Sequence, residues 1–427
     1  MNIIDKSKEY GLIFTGGGTK GCYEIGAWKA LKELDVKIKA VAGTSIGAIN
    51  GAMFVQDDYD LAYEKWIEAN VNDYISSNDD NLVTLFLTAF KNKGIDTTPL
   101  KKIMSDIIDE DLIRNSKIDF GLVTFSLSDM KPFMVMKKDI PKGKMVDYIM
   151  ASSAFPLFKT PQIDGKKFID GAVYNNSPAP LLAENGCNNI IIIDISGVGV
   201  NRNYTAESLN INSLHRIKNS YDLCGVLEFN KEKIERGIEM GYLDTMRAFG
   251  EYSGQKFYIK KDSPDYSDSK YLYPLDNNEL LDIFNIIEKD TEGNTKSARY
   301  SLIKRIHEYS DNALTMKTIL PSCLEIAAEL FDIERIKAYN VDKLYEEVYA
   351  TYMESKKILA NGSALDFIKG KYKSLEWTDI NKGNLVVYLM NLGENETLSK
   401  KHLINFMPKV YITYIFIKFV ESRKIKS

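Results

Sequence analysis

Histidine is scarce in this chain, with three among 427 residues: His215, His307 and His402. That matters because most hydrolytic sites use a histidine as their base. Cysteine is sparse too, and Cys22, Cys187, Cys224 and Cys323 lie far apart with no C-x-x-C pair. Such spacing argues against a zinc knuckle or a disulfide framework and fits a reducing, cytoplasmic compartment. No uninterrupted apolar run reaches the ~18 residues of a conventional membrane span. The opening "MNIIDKSKEY" lacks the apolar stretch of a secretory signal, so none is expected. Excess positive charge is missing as well. A net charge of −4 and a pI of about 5.7 give no support to a general nucleic-acid footprint.

What is present suits a large folded protein. Hydrophobic residues make up 44% and charged residues 27%, ample for a core, and the length fits roughly two or three domains. Up to residue 262 the chain alternates strand-like and helix-like segments. "GLIFTG" (Gly11–Gly16), a helical pattern through Leu31 and "IKAVAGTS" (Ile38–Ser45) read as a βαβ unit with a parallel sheet. "FGLVTFSLSDMKPFMVMKKD" and "QIDGKKFIDGAV" read as hairpins, the second turning at Asp164-Gly165. "NIIIIDIS" reads as a fully buried strand, and "QKFYIKK" as the last strand of the series. The polar stretch 263–274 has the composition of a linker, and 275–427 reads almost wholly as helix. The expected division is therefore 8–262, an α/β domain, and 275–427, a helical region of unknown role.

Two glycine-bearing turns carry the chemistry. "FTGGGTKG" (Phe14–Gly21) places Gly16, Gly18 and Gly21 at the G-x-G-x-x-G spacing of a dinucleotide-binding turn. That reading wants an acidic residue at the end of the second strand, and "AVAGTS" has none. A P-loop is also disfavoured, because Lys20 is followed by Gly21 rather than Ser or Thr. "GTSIG" (Gly43–Gly47) matches G-x-S-x-G, which suits a nucleophile on a strained strand-to-helix turn. Taken alone, those five residues also suit a serine that merely caps the next helix. In a βαβ unit both turns lie at the carboxyl edge of the sheet, so the Gly17 and Gly18 amides are expected beside Ser45. Amides so placed would suit the oxyanion of an acyl-transfer step. A carboxylate within reach would then serve as base, and Asp170, Asp164 and Asp194 are all open by spacing alone.

Taken together, "TGGGTKG", "GTSIG" and "DGA" (Asp170–Ala172) resemble the patatin-like phospholipase family, and "ASSAFPLFKTPQI" (Ala151–Ile163) is also similar to its members. The resemblance spans about residues 8–260. It implies a three-layer α/β/α domain with a mainly parallel sheet, followed here by a helical C-terminal region outside the family core. It also implies a Ser45–Asp170 catalytic dyad acting on lipid carboxyl-esters without cofactor or metal. Gly17, Gly18 and Thr19 would supply oxyanion N–H groups, with Gly16, Lys20, Gly21, Gly43, Gly47 and Gly171 supporting the turns.

Other readings remain in play. An ordinary α/β-hydrolase triad would pair Ser45 and Asp170 with one of the histidines, each of which lies in a polar, helix-like context such as "SLHRIKNS". In a regulatory protein, the helical region would sense a partner or nucleotide and the lipase site would be secondary. The aromatic and basic segment Lys400–Ser427 would suit peripheral contact with an anionic membrane, or an amphipathic helix docked on its own domain, the latter being favoured. "DDYD" (Asp57–Asp60) and "NDDN" (Asn78–Asn81) lack ligand spacing for calcium and read as caps and loops.

Overall fold

An apolar six-residue strand, β1 (Glu9–Phe14), runs parallel to β2 (Lys37–Thr44), with α1 (Cys22–Glu33) crossing between them. This is the βαβ unit the sequence predicts. The computed structural model describes residues 3–69, 94–261, 269–273, 278, 295–310, 314–315, 317–362, 381–392, 403–404 and 406–426. They fall into two compact units, Asn2–Gly250 and Glu251–Ser427, the latter grouped with Met1.

The first unit is built on an eight-stranded sheet, ordered β5-β6-β3-β2-β1-β7-β8 with β4 on the free edge of β3. The remaining strands are β3 (Asp119–Ser126), β4 (Lys131–Met136), β5 (Gln162–Ile163), β6 (Lys166–Asp170), β7 (Asn189–Asp194) and β8 (Ser213–Lys218). Strands β3, β2, β1, β7 and β8 are parallel, while β4 and β6 run antiparallel to β3 and β5 antiparallel to β6. Ile190 to Ile193 of β7 are fully buried, each contributing about 1.5–3 kcal/mol of hydrophobic stabilisation. Between the strands lie α2 (Ile46–Val55), α3 (Tyr59–Glu68), α4 (Thr98–Ile107), α5 (Glu110–Asn115), α6 (Met145–Ser152), α7 (Ala179–Glu184) and α8 (Lys231–Ala248). Ile13, Ala40, Ala42, Ile190 and Ile192 face α7 on one side of the sheet. The alternate residues, including Phe14 and Val41, face α2 on the other, where Phe14 meets Phe54 edge-on. The result is the expected mixed α/β fold around a mostly parallel sheet.

One exchange within the sheet bears on function. β2 follows one edge of β3 from Asp119 to Val123, and β6 takes over that edge from Thr124 to Ser126. The ends of β2 and β6 are thereby brought face to face.

The second unit holds a small sheet of β9 (Tyr252–Ser253), β10 (Tyr258–Lys260) and β11 (Ala338–Tyr339). Its helices are α9 (Thr295–His307), α10 (Ile319–Leu330), α11 (Val341–Ala360), α12 (Lys382–Asn391) and α13 (Pro408–Lys426). Buried Glu325 of α10 accepts the backbone N–H groups of Gln255, Lys256 and Phe257, fixing the β9–β10 turn to that helix. The strand read from "QKFYIKK" pairs with β11 in this unit, and the two compact units meet in sequence at Gly250/Glu251. Of the expected linker, Ser269 and Leu272 are buried, and Leu272 joins the helical core. In α13, Val410, Tyr411, Ile415, Phe416, Phe419 and Val420 are buried in that same core. Those side chains hold α13 within its own unit, the docked arrangement among the two expected from the sequence. Among the described residues no helix is long and apolar enough to cross a membrane.

Candidate active site

Ser45 follows β2 at a backbone angle that a non-glycine residue rarely takes, with φ 56° and ψ −128°. The strain is maintained by close packing on both sides. A Cβ on Gly43 would lie 2.1 Å from the Gly47 carbonyl oxygen, and one on Gly47 would lie 2.2 Å from that of Phe14. Only glycines fit there, which gives the G-x-S-x-G spacing its mechanical meaning. The Ser45 side chain makes no capping bond to α2, so the capping alternative does not describe it. Its hydroxyl instead lies beside the Asp170 carboxyl, where it favours the ionised form of that group.

Asp170 ends β6 opposite Thr124, one register position beyond the Thr44–Val123 pair. The carboxyl is 3% exposed, and its Oδ1 accepts the Ala172 N–H at 2.8 Å. Burial pushes its pKa up to about 6, against the opposing pull of the Ala172 N–H and the Ser45 hydroxyl. A Cβ on Gly171 would lie 2.2 Å from the Val123 carbonyl oxygen, so the turn after Asp170 hugs β3. The other carboxylates open by spacing lie elsewhere. Asp164 is exposed on the hairpin turn, and Asp194 pairs with Arg216 at 2.8 Å.

The glycine turn lies beside Ser45, since a Cβ on Gly16 would lie 2.9 Å from the Ser45 Cβ. Asn176 clamps that turn, accepting the Gly16 N–H at 2.7 Å and donating to the Gly16 carbonyl at 3.1 Å. Among the described residues, the Gly17 and Gly18 N–H groups have no acceptor outside their own turn. Thr19 differs from its expected role. Its N–H donates to the Val226 carbonyl at 2.9 Å and its hydroxyl to that of Gly225, so it holds a neighbouring loop instead of facing Ser45. Lys20 Nζ donates to the Ser196 carbonyl at 3.2 Å, which ties the glycine turn to the segment after β7. Gly21 offers its carbonyl to Asn50 Nδ2 at 3.0 Å.

Several supporting residues carry no motif of their own. Ser152 Oγ accepts the Ser45 N–H at 3.0 Å and donates to Val123 at 2.7 Å, while Ser153 Oγ donates to the Ser45 carbonyl at 3.1 Å. The signal for them was the "ASSAF" run, legible as a likeness but not as a role. Residues 219–229 form a second unforeseen element. Asp244 anchors it through the Ser220 N–H at 3.0 Å, and Tyr23 and Arg247 hold Asp244 in turn. Val226, Leu227 and Phe229 from this loop line an apolar cavity that opens on Ser45.

His215 lies apart from these groups. His215 sits in strand β8, not in a helix, and meets Tyr10 near the start of β1, whereas Ser45 and the glycine turn lie at the carboxyl ends of the strands. β8 was missed because its burial does not alternate cleanly, with only Ile217 buried among six residues. His307 belongs to the second unit, and His402 and "NDDN" lie outside the described residues. In "DDYD", Asp58 caps α3 through the Leu61 N–H. Among the described residues no cluster of side chains could hold a metal ion.

A serine at a strained turn, a buried carboxylate beside it and open glycine amides form an arrangement competent for acyl transfer. The patatin-like phospholipase family profile matches residues 12–183. Patatin-like phospholipase domain-containing protein 7 of Mus musculus is 26% identical over 191 residues, covering 43% of this chain and 13% of that protein. Lysophospholipase NTE1 of Eremothecium gossypii is 27% identical over 196 residues, covering 44% of this chain and 12% of that protein. The chain thus carries a domain of the patatin-like phospholipase family. The match spans only about an eighth of the length of these relatives. Among solved structures, VipD from Legionella pneumophila is similar at a TM-score of 0.34 and 12% identity, covering 96% of this chain and 91% of that one.

Proposed function

We propose that this chain is a serine acyl hydrolase that cleaves carboxyl-ester bonds of lipids through a Ser45–Asp170 dyad. The observation that carries the reading is the strained Ser45 turn set beside the buried Asp170 carboxyl by the pairing of β2 and β6 along one edge of β3. In the proposed cycle Asp170 accepts the Ser45 proton as Oγ attacks the ester carbonyl. The Gly17 and Gly18 N–H groups then receive the negative charge that develops on the carbonyl oxygen. Collapse of the tetrahedral species expels the alcohol, protonated by Asp170, and leaves an acyl-serine. Water, deprotonated by the same carboxylate, then releases the fatty acid and restores Ser45. The N-terminal end of α2 adds a favourable dipole for the anionic intermediate. An apolar cavity beside Ser45 supports an acyl chain as the group transferred.

Labelling with a fluorophosphonate probe tests the proposal. Wild type should label, Ser45→Ala should not, and Asp170→Asn should label more slowly by about 10²–10⁴-fold, the usual contribution of a general base. Labelling retained in Ser45→Ala would sink the mechanism.

A further inference from the structure

The cavity that opens on Ser45 is small, about 80 Å³. Ligand pockets commonly run to about 300–1,000 Å³, so this chamber is small for a long acyl chain. A larger cavity of about 340 Å³ lies in the same unit, lined by Met53, Ala62, Ile103, Met104 and Ile107. Exposed Glu68 and Asp106 also border it. Both cavities share three lining residues, Ile46, Ile49 and Trp66. Those side chains are therefore the partition between them.

Trp66 is the largest of the three and is held in place. It is 6% exposed, and its indole N–H donates to Asn50 Oδ1 at 3.0 Å. Asn50, itself buried, donates through Nδ2 to the Gly21 carbonyl at 3.0 Å and to Glu24 Oε2 at 2.7 Å. Burial raises the pKa of Glu24 well above the ordinary carboxyl range, which favours its neutral form. Swinging the indole aside would orphan a buried amide oxygen. The partition is thus bonded to the same glycine turn that flanks Ser45.

We propose that Trp66, with Ile49, is a fixed partition that sets the length of acyl chain accepted at Ser45. Short acyl groups fill the small chamber, and longer chains are excluded from the larger one behind the indole. The proposal rests on reading Ser45 as the acyl-accepting nucleophile.

The test is a series of p-nitrophenyl esters, butyrate, octanoate and palmitate, presented in the same detergent micelles to the full chain. The readout is the palmitate-to-butyrate ratio of kcat/KM. Trp66→Ala should raise it by about ten-fold or more, the discrimination expected when one apolar contact limits a chain. Ile49→Ala should shift it the same way, and it guards against a Trp66→Ala variant that fails to fold. Adding Met53→Trp to Trp66→Ala, which fills the larger chamber, should return the ratio toward wild type. An active wild type with an unchanged ratio in both folded single variants overturns the partition alone. Absence of hydrolysis by wild type overturns the nucleophile reading and the partition with it.

Discussion

Thr44 and Asp170 occupy neighbouring positions on one edge of β3, opposite Val123 and Thr124. β2 arrives parallel and β6 antiparallel, so their ends converge, and the residue after Thr44 is Ser45. The approach of serine to carboxylate is thus built into strand pairing and does not depend on a long flexible side chain. Among the described residues of this unit no histidine lies beside them, which suits the proposed dyad. The consequences concern the charge state of Asp170, the fit of the glycine turn and the dispensability of histidine.

The first concerns rate against pH. Asp170 acts as a base only when ionised, and burial has moved its pKa up to about 6. The kcat/KM for a soluble ester should therefore rise with unit slope below pH 6 and level off above it. A stopped-flow or initial-rate series on p-nitrophenyl butyrate measures this limb. A plateau that continues down to pH 4.5 would remove Asp170 as the titrating base.

The second concerns stability, and its sign follows from the same shift. The unfolded carboxyl ionises near its ordinary value of 3.8 and the folded one near 6. Any stability from the protonated carboxyl is fully present below pH 3.8 and is lost as pH rises through 6. Above pH 6 the native protein carries a buried charge, a penalty of about 3 kcal/mol on an order-of-magnitude scale. Asp170→Asn keeps an oxygen for the Ala172 N–H and removes the charge. Urea melts should find this variant more stable than wild type at pH 8 and nearly equal to it at pH 4. Equal stabilities at both pH values would mean that burying the carboxylate carries no cost.

Much of the site was legible because its constraints are local. Gly43, Ser45 and Gly47 announce a tight strand-to-helix turn within five residues, and "DGA" announces the turn after Asp170. Ser152, Asn176 and the 219–229 loop were not legible, because each acts across a long sequence separation on a backbone group. Ser152 meets the Ser45 N–H 107 positions away, and Asn176 meets Gly16 across 160. A lone serine or asparagine has no spacing that declares such a partner. Thr19 was misread for the same reason, since the Val226 carbonyl that takes its N–H lies on a loop with no sequence link to the glycine motif. The fold shows the same division. β7 was visible from its isoleucine run, while β8, with one buried residue of six, was not.

The third prediction places a methyl group in the glycine turn. Gly18 has φ 61°, and a Cβ there would lie 2.0 Å from the Val226 carbonyl oxygen. Alanine would be strained in that left-handed conformation by roughly 1–2 kcal/mol and would push the turn away from the 219–229 loop. The Gly18 N–H would then miss the developing oxyanion. Gly18→Ala should lower kcat by about 10²–10³-fold, the scale seen when one such donor is lost. Steady-state kinetics together with a circular dichroism melt separates this from unfolding. A folded Gly18→Ala variant with wild-type kcat would show that its N–H takes no part.

The fourth prediction concerns the residue type that is scarcest here. A serine hydrolase of the triad kind needs an imidazole within hydrogen-bond reach of its nucleophile. His215 is engaged with Tyr10 near the start of β1, away from the strand ends that carry Ser45 and Asp170. Its pKa is lowered by burial and by Lys8, which favours a neutral, half-buried ring in a structural role. Replacing His215, His307 and His402 together should therefore leave kcat within about three-fold of wild type, whereas removing a general base typically costs 10²–10⁴-fold. Glutamine suits each position, since it preserves polarity and approximate size. The decisive measurement is the fluorophosphonate labelling rate, which reports the activated serine without reference to any particular lipid. A drop of a hundred-fold in a folded triple variant would restore a histidine to the mechanism and recast Asp170 as its orienting partner.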